Sequence, residues 1–144
     1  MKFPLCENGQ PCFIDPANEN PAEHLDFLES QILHKTNRGN KTIQEIGLDR
    51  DLLTECRTLW LLNIKILLLL CCSVSKAYSS TKELLIWSMQ PDAPYTAMTR
   101  QYLKMKAPKL ANPVNPHPFI HLANPKERIS ELIEQYREEL FQLE

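Results

Sequence analysis

The chain has 144 residues, of which 43% are hydrophobic and 24% charged, and this length and composition predict one globular domain with its own apolar core. A net charge of −2 provides no whole-chain electrostatic attraction to nucleic acid or acidic membranes. The 3 glycines are too few for a glycine-rich phosphate-binding loop, and the 11 prolines predict helices separated by stiff connectors.

The N-terminal segment, residues 1–20, contains three prolines and an Asn-Gly turn dipeptide, which predict an irregular arm laid against the core. Residues 20–23 read Asn-Pro-Ala-Glu and supply an N-cap, a first-turn proline and a capping glutamate. We therefore expect a helix from Pro21 to about Thr36. Its apolar face would consist of Leu25, Leu28 and Ile32.

A turn is predicted at residues 37–40, followed by a short helix from Thr42 to Gly47. The next segment contains the most apolar stretch of the chain, residues 59–74. We expect it to lie in one helix of seven or eight turns, capped by Asp49 and continuing through Lys76.

The helical wheel of this long helix shows one narrow polar line, which includes Lys65, on an otherwise apolar surface. We therefore expect its own chain to enclose the helix on nearly all sides, with Asn63 as a buried, hydrogen-bonded amide. A membrane-spanning helix is the alternative, because such a helix needs about 20 apolar residues. The run is shorter than that and has Asn63 and Lys65 near its middle, where a lysine is costly in lipid.

Two shorter helices are predicted after the long one. The first begins at the capping sequence of residues 80–83 and ends before Pro91, and the second begins at residues 92–94 and presents tyrosines and methionines on one face. A basic run on its other side could contact the phosphates of a nucleic acid, or it could be a solvated helix surface. The possible phosphate contacts are Arg100, Lys104, Lys106 and Lys109.

Residues 107–123 contain four prolines, which predict an extended connector. The last segment, residues 124–144, is predicted to be an amphipathic helix, since residues 124–127 repeat the start signal of residues 20–23. Its apolar positions recur at intervals of 4, 3, 4 and 3, the seam of a coiled coil or of a helix that enters a groove. The predicted partner-binding residues are Ile129, Ile133, Tyr136, Leu140 and Leu143.

Candidate chemistry is sparse. Cys6 and Cys12, with His24 and His34, lack the short paired spacings of zinc sites. His117 and His121 have the spacing of a helical metal site, but the prolines around them prevent a helix there. The remaining cysteines, Cys56, Cys71 and Cys72, lie in the long apolar helix, where buried and inert thiols are expected. An odd number of cysteines, two of them adjacent, favours reduced thiols and an intracellular compartment, the cytoplasm or nucleus.

These patterns predict an all-α protein, an irregular helical bundle around one long central apolar helix. Its parts would be an arm (1–20), a helical core (21–106), a Pro-rich extended connector (107–123) and an amphipathic C-terminal helix (124–144). Without a catalytic or cofactor motif, we expect no enzyme activity, no cofactor and no metal. The expected function is a protein-protein interaction module, an adaptor or small subunit of a larger assembly, which binds through the connector and last helix. Membrane anchoring by residues 59–74 and nucleic-acid association are the alternatives.

Overall fold

A computed structural model describes residues 12–15, 18–111 and 121–143. This part of the chain is mostly helical, with seven α-helices and one two-stranded sheet. The chain divides into two compact units, Met1–Thr58 and Leu59–Glu144. Most of the predicted arm, and residues 112–120 of the predicted connector, lie outside the described residues.

The first unit begins with a short 3₁₀ helix and a β-hairpin. Asn20 caps the 3₁₀ helix Pro21–Glu23 through its side chain, which accepts a hydrogen bond from the backbone N–H of Ala22 at 3.1 Å. Strands β1 (Leu25–Leu28) and β2 (Gln31–His34) then pair in antiparallel register. The helix predicted to run to Thr36 is therefore wrong after its first turn.

The residues of the hairpin fit a strand as well as a helix. Leu25 and Phe27 are separated by the polar Asp26, which is the apolar-polar alternation of a strand. The chain reverses at Glu29, which adopts the left-handed conformation with a φ of 53°. Phe27 lies beneath the guanidinium of Arg57, 5.7 Å from the ring centroid, a contact between residues distant in sequence. Tertiary contacts of this kind decide between two equally compatible local patterns.

Helix α1 (Asn37–Ile46) follows the hairpin. It starts earlier than predicted, because Thr36 is the N-cap and its side chain accepts a hydrogen bond from the Gly39 N–H at 3.1 Å. The predicted turn at residues 37–40 is thus the first helical turn. The helix ends at Gly47, as predicted, with a left-handed φ of 75°.

Described residues of the predicted arm pack onto α1 of this unit. Ile14 is buried, and its N–H donates a hydrogen bond to the Thr42 hydroxyl at 3.1 Å. Nearby, the Arg38 guanidinium donates two hydrogen bonds to the Glu19 carboxylate, both at 2.6 Å. The Asp15 N–H donates a further one at 2.9 Å. These bonds hold the pKa of the Glu19 carboxyl at about 2, below its ordinary value of 4.5.

Helix α2 (Asp51–Ser73) is the 23-residue apolar helix of the sequence. It ends several residues before the predicted end near Lys76, and the chain then forms a separate 3₁₀ turn, Ser75–Ala77, after the extended residue Val74. Helices α3 (Tyr78–Ser88) and α4 (Thr96–Lys106) follow on either side of Pro91, close to their predicted positions. A single helical turn, α5 (Pro108–Ala111), replaces the start of the predicted extended connector, since a proline is tolerated at the first position of a helix.

The C-terminal segment forms two short helices, α6 (Pro125–Gln135) and α7 (Arg137–Gln142), which meet at Tyr136. One continuous helix was predicted; the backbone leaves helical geometry at Tyr136, which has a φ of −105° and a ψ of 20°. The core of the second unit draws fully buried apolar side chains from α2, α3, α4 and α6. They are Ile64, Leu67, Leu70, Leu84, Leu85, Met98, Leu103, Ile129 and Leu132.

Candidate interaction surface

The part of α2 that belongs to the second unit has two different faces. Trp60, Ile64 and Leu67 are buried, and the Trp60 ring meets the Trp87 ring of α3 edge to face with centroids 6.2 Å apart. The exposed leucines lie on the other side, about 150° away at 100° per residue. Only 33% of the most apolar 18-residue window of the helix is buried. The prediction that the chain encloses the helix on nearly all sides is therefore wrong.

The exposed face of α2 is an apolar stripe, which consists of Leu59, Leu62, Ile66 and Leu69. The three leucines are 65%, 51% and 43% exposed, and Ile66 is half-buried. Their intervals of 3, 4 and 3 residues place all four within an arc of about 80°. This is the spacing of a helix that packs against another helix.

Polar side chains border the stripe on both sides. Asn63 and Lys65 each fall about 40° beyond one edge of the stripe, and both are half-buried. The Lys65 ammonium lies 5.7 Å from the centroid of the Tyr102 ring of α4. This contact between a cation and an aromatic face positions the charge beside the stripe. Asn63, which was expected to be buried, is only partly so.

The same helix is long and apolar enough to cross a membrane by length and composition. Helices in the cores of soluble proteins satisfy the same criterion, so one such helix is weak evidence of a membrane span. The described chain contains no second helix that satisfies it.

The five residues of the predicted C-terminal seam have different surroundings in the structure. Ile129 and Tyr136 are buried within the second unit, Ile133 and Leu140 are half-buried, and Leu143 is 44% exposed. Phe141, which widens the seam, is 62% exposed. The apolar surface that this segment offers to another molecule is therefore concentrated at its end.

The four predicted phosphate contacts lie on the surface of α4 and α5. Arg100 is exposed, and its Nε donates a hydrogen bond to the Met89 carbonyl at 2.6 Å. The lysines, Lys104, Lys106 and Lys109, are exposed as well. Of the tyrosines that could stack on bases, Tyr102 already has Lys65 over its ring. Nucleic-acid binding stays a prediction, and no contact among the described residues adds support for it.

The cysteines differ from the expectation of five reduced and mostly buried thiols. Cys12 takes part in a disulfide, whereas Cys56, Cys71 and Cys72 are free. An odd count forbids pairing of all five but allows a single bridge, so the expectation that all five are reduced is wrong for Cys12. Cys72 is exposed, because it lies at the end of α2 away from the buried face. Burial raises the pKa of the Cys71 thiol, so this thiol stays protonated at neutral pH.

Metal-binding and catalytic groups do not converge in the described residues. No group of three or more His, Cys, Asp or Glu side chains could hold a metal ion there. Of the zinc candidates, Cys12 is in a disulfide and His24 forms a hydrogen bond between its Nδ1 and the Thr36 hydroxyl at 2.8 Å. His34 lies exposed on β2, while Cys6 and His117 lie outside the described residues and His121 is exposed.

The sequence missed the stripe for a definable reason. Apolar residues occur on nearly every side of α2, so the helical wheel alone could not show which of them pack against other helices of the chain. The intervals between Leu59, Leu62, Ile66 and Leu69 were the available signal. Comparisons with protein-family models, with curated proteins and with solved structures find no match for this chain.

Proposed function

We propose that this chain is a non-catalytic, protein-binding subunit and that its partner lays an amphipathic helix along the apolar stripe of α2. The observation that carries the proposal is the exposure of three leucines at helix-packing intervals on one helix. Burying a leucine completely contributes about 1.5–3 kcal/mol, so covering the exposed parts of these three would contribute on the order of 2–5 kcal/mol. The partner would complete the bundle around α2 that the sequence predicts.

The charge beside the stripe favours a different protein over a second copy of this chain. Between Arg57 and Ser73 the helix has no acidic residue, and Lys65 lies near the middle of the stripe. Two copies that paired through the stripe, parallel or antiparallel, would therefore bring two Lys65 side chains near each other, which is unfavourable. A partner helix whose apolar seam is flanked by carboxylates would complement the lysine.

The C-terminal helix retains a smaller role in this proposal. Phe141 and Leu143, exposed at its end, would form a second apolar contact with the partner. Ile129 and Tyr136, which are buried, would support the fold and would not touch the partner. We propose an intracellular compartment because three thiols are free; the bridge at Cys12 counts against it, since the cytoplasm and nucleus keep thiols reduced.

The proposal is tested by a charge placed in the stripe. The full chain, tagged, is used to capture partners from the cells that express it, with quantitative mass spectrometry. Leu62→Glu should remove a protein that the wild-type chain retains. Ile46→Glu is the matched control: Ile46 is 50% exposed, close to the 51% of Leu62, and lies on α1 instead of α2. Circular dichroism checks that both variants remain folded.

Three results would contradict the proposal. Leu62→Glu and Ile46→Glu could retain the same proteins as the wild type, or the two variants could lose the same proteins. The third is that the only species lost in Leu62→Glu is a second copy of the chain, which light scattering of the purified protein would also show.

Membrane anchoring is the second candidate, favoured by the length of α2 and its exposed leucines. Lys65 and Asn63 at the borders of the stripe oppose it, because a charge in hydrocarbon is costly. Alkaline extraction of a membrane fraction separates the two proposals. A peripheral or soluble subunit is released, whereas retention of the chain in the pellet would favour the anchor.

A further inference from the structure

A pocket in the second unit lies apart from the apolar stripe. It encloses about 590 Å³ and opens between the C-terminal end of α2, the start of α3 and the junction of α4 with α5. A pocket of this size is in the range of sites for small molecules. None of the four stripe residues lines it.

The walls of the pocket are largely apolar. Leu68, Pro108 and Leu110 contribute hydrocarbon surface, and the Cys71 and Cys72 side chains add two thiols. Thiols pack as small hydrophobic groups when they are protonated. Such walls suit a hydrocarbon chain.

The pocket also carries a concentrated positive charge. Lys82, Lys106 and Lys109 line it, and the Lys82 ammonium lies 5.5 Å from the centroid of the Tyr78 ring, which also lines it. No carboxylate is present among the described lining residues, so these charges are not neutralised within the pocket. The whole chain has a net charge of −2, and the pocket therefore differs sharply in sign from the average surface.

We propose that this pocket binds an amphipathic anion, an acyl chain that carries one carboxylate or phosphate head group. The apolar walls accommodate the chain, and the lysines bind the head group through charge-assisted hydrogen bonds. A neutral lipid would leave the lysines without a partner, and a purely polar anion would leave the apolar walls uncovered. The bound molecule is a ligand, and no reaction of the thiols is required.

The test uses the full chain and isothermal titration calorimetry with oleate below its micelle-forming concentration. Lys106→Gln combined with Lys109→Gln should weaken oleate binding at least about tenfold, because two of the three charges are lost. Lys104→Gln is the matched control: Lys104 is exposed on the same helix, α4, and does not line the pocket. This control should change the affinity less than about twofold.

The head group and the chain are separated by the choice of ligand. Methyl oleate, which keeps the chain and lacks the charge, should bind at least about tenfold more weakly than oleate. Acetate and inorganic phosphate, which lack the chain, should give no measurable binding. Oleoyl lysophosphatidate tests the phosphate head group, and its affinity relative to oleate tells whether the source is a phospholipid product or a free fatty acid.

Four results would overturn the proposal: no binding of oleate or lysophosphatidate by the wild-type chain, equal binding of methyl oleate, equal loss of affinity in Lys104→Gln, or unchanged affinity in the double variant. Leu110→Gln, placed in the apolar wall, provides a second variant if the double lysine variant proves unstable, and it should also weaken oleate binding. The result of this binding test is independent of the partner-capture experiment, since neither Leu62 nor any other stripe residue lines the pocket.

Discussion

Glu19 and Arg38 form the best-defined ion pair among the described residues, and its pH dependence follows from the depressed pKa of the carboxyl. The Glu19 pKa is about 2 in the folded chain and 4.5 ordinarily, so the pair stabilises the fold above about pH 4.5 and loses this effect as the pH falls toward 2. Glu19→Gln should therefore lower the Tm at neutral pH, and the difference from the wild type should shrink steadily below pH 4.5.

Thermal unfolding followed by circular dichroism across this pH range measures the effect. Glu23→Gln is the control, since Glu23 is exposed in the same unit and forms no ion pair in the described structure. A Glu19→Gln difference that is the same at both ends of the range would show that the carboxylate does not contribute through its charge.

Gly39 is a second residue whose identity is set by its surroundings. A Cβ at this position would collide with the carbonyl oxygen of His24, and the backbone cannot move aside cheaply. Alanine ordinarily stabilises a helix by about 1 kcal/mol relative to glycine, but overpacking costs about 1–3 kcal/mol. Gly39→Ala should therefore lower the free energy of unfolding, measured by urea denaturation, whereas Lys41→Ala on the exposed side of α1 should change it little. A stabilised Gly39→Ala variant would contradict the packing described for α1 and His24.

Helix α2 provides a prediction at the scale of one element, because its two faces should respond differently to the same change. Leu67 is fully buried, so Leu67→Ala should lower the free energy of unfolding by about 2–5 kcal/mol. Leu62 is half exposed, and Leu62→Ala should cost less than about 1 kcal/mol in the isolated chain. Chemical denaturation of both variants measures the contrast. Similar losses would mean that the stripe is covered within the chain and is not available to a partner.

Elements with strong local signals were predictable from the sequence. Gly47 ends α1 because glycine readily adopts the left-handed conformation, and Pro91 separates α3 from α4 while Pro125 begins α6 because proline restricts its own φ. The hairpin was not predictable in this way. Asn20 and Pro21 do start a 3₁₀ turn, but the residues after it fit helix and strand equally, and the contact of Phe27 with Arg57 depends on the tertiary structure.

At the scale of the whole molecule, the sequence located the residues of the candidate sites but not how the fold arranges them. Sequence located the apolar helix but could not tell which side of it the chain covers, so the stripe from Leu59 to Leu69 was missed. It also located Lys106 and Lys109 as a basic run; only the fold brings them to one pocket with Lys82 and the thiols at the end of α2.

The cysteine content gives a prediction for the whole chain. With Cys12 in a disulfide and three cysteines free, the denatured but unreduced protein should react with three equivalents of a thiol reagent. After reduction, all 5 cysteines should react. A count of five before reduction would contradict the bridge at Cys12 and would restore the expectation of fully reduced thiols.

If the stripe of α2 faces another protein, photo-crosslinking in the cells that express the chain should show it, with a benzophenone amino acid placed at Leu62 or, as the control, at Ile46 of α1. We expect a protein adduct from position 62 that position 46 does not give. Adducts with lipid alone at position 62, or the same protein adducts from both positions, would contradict it.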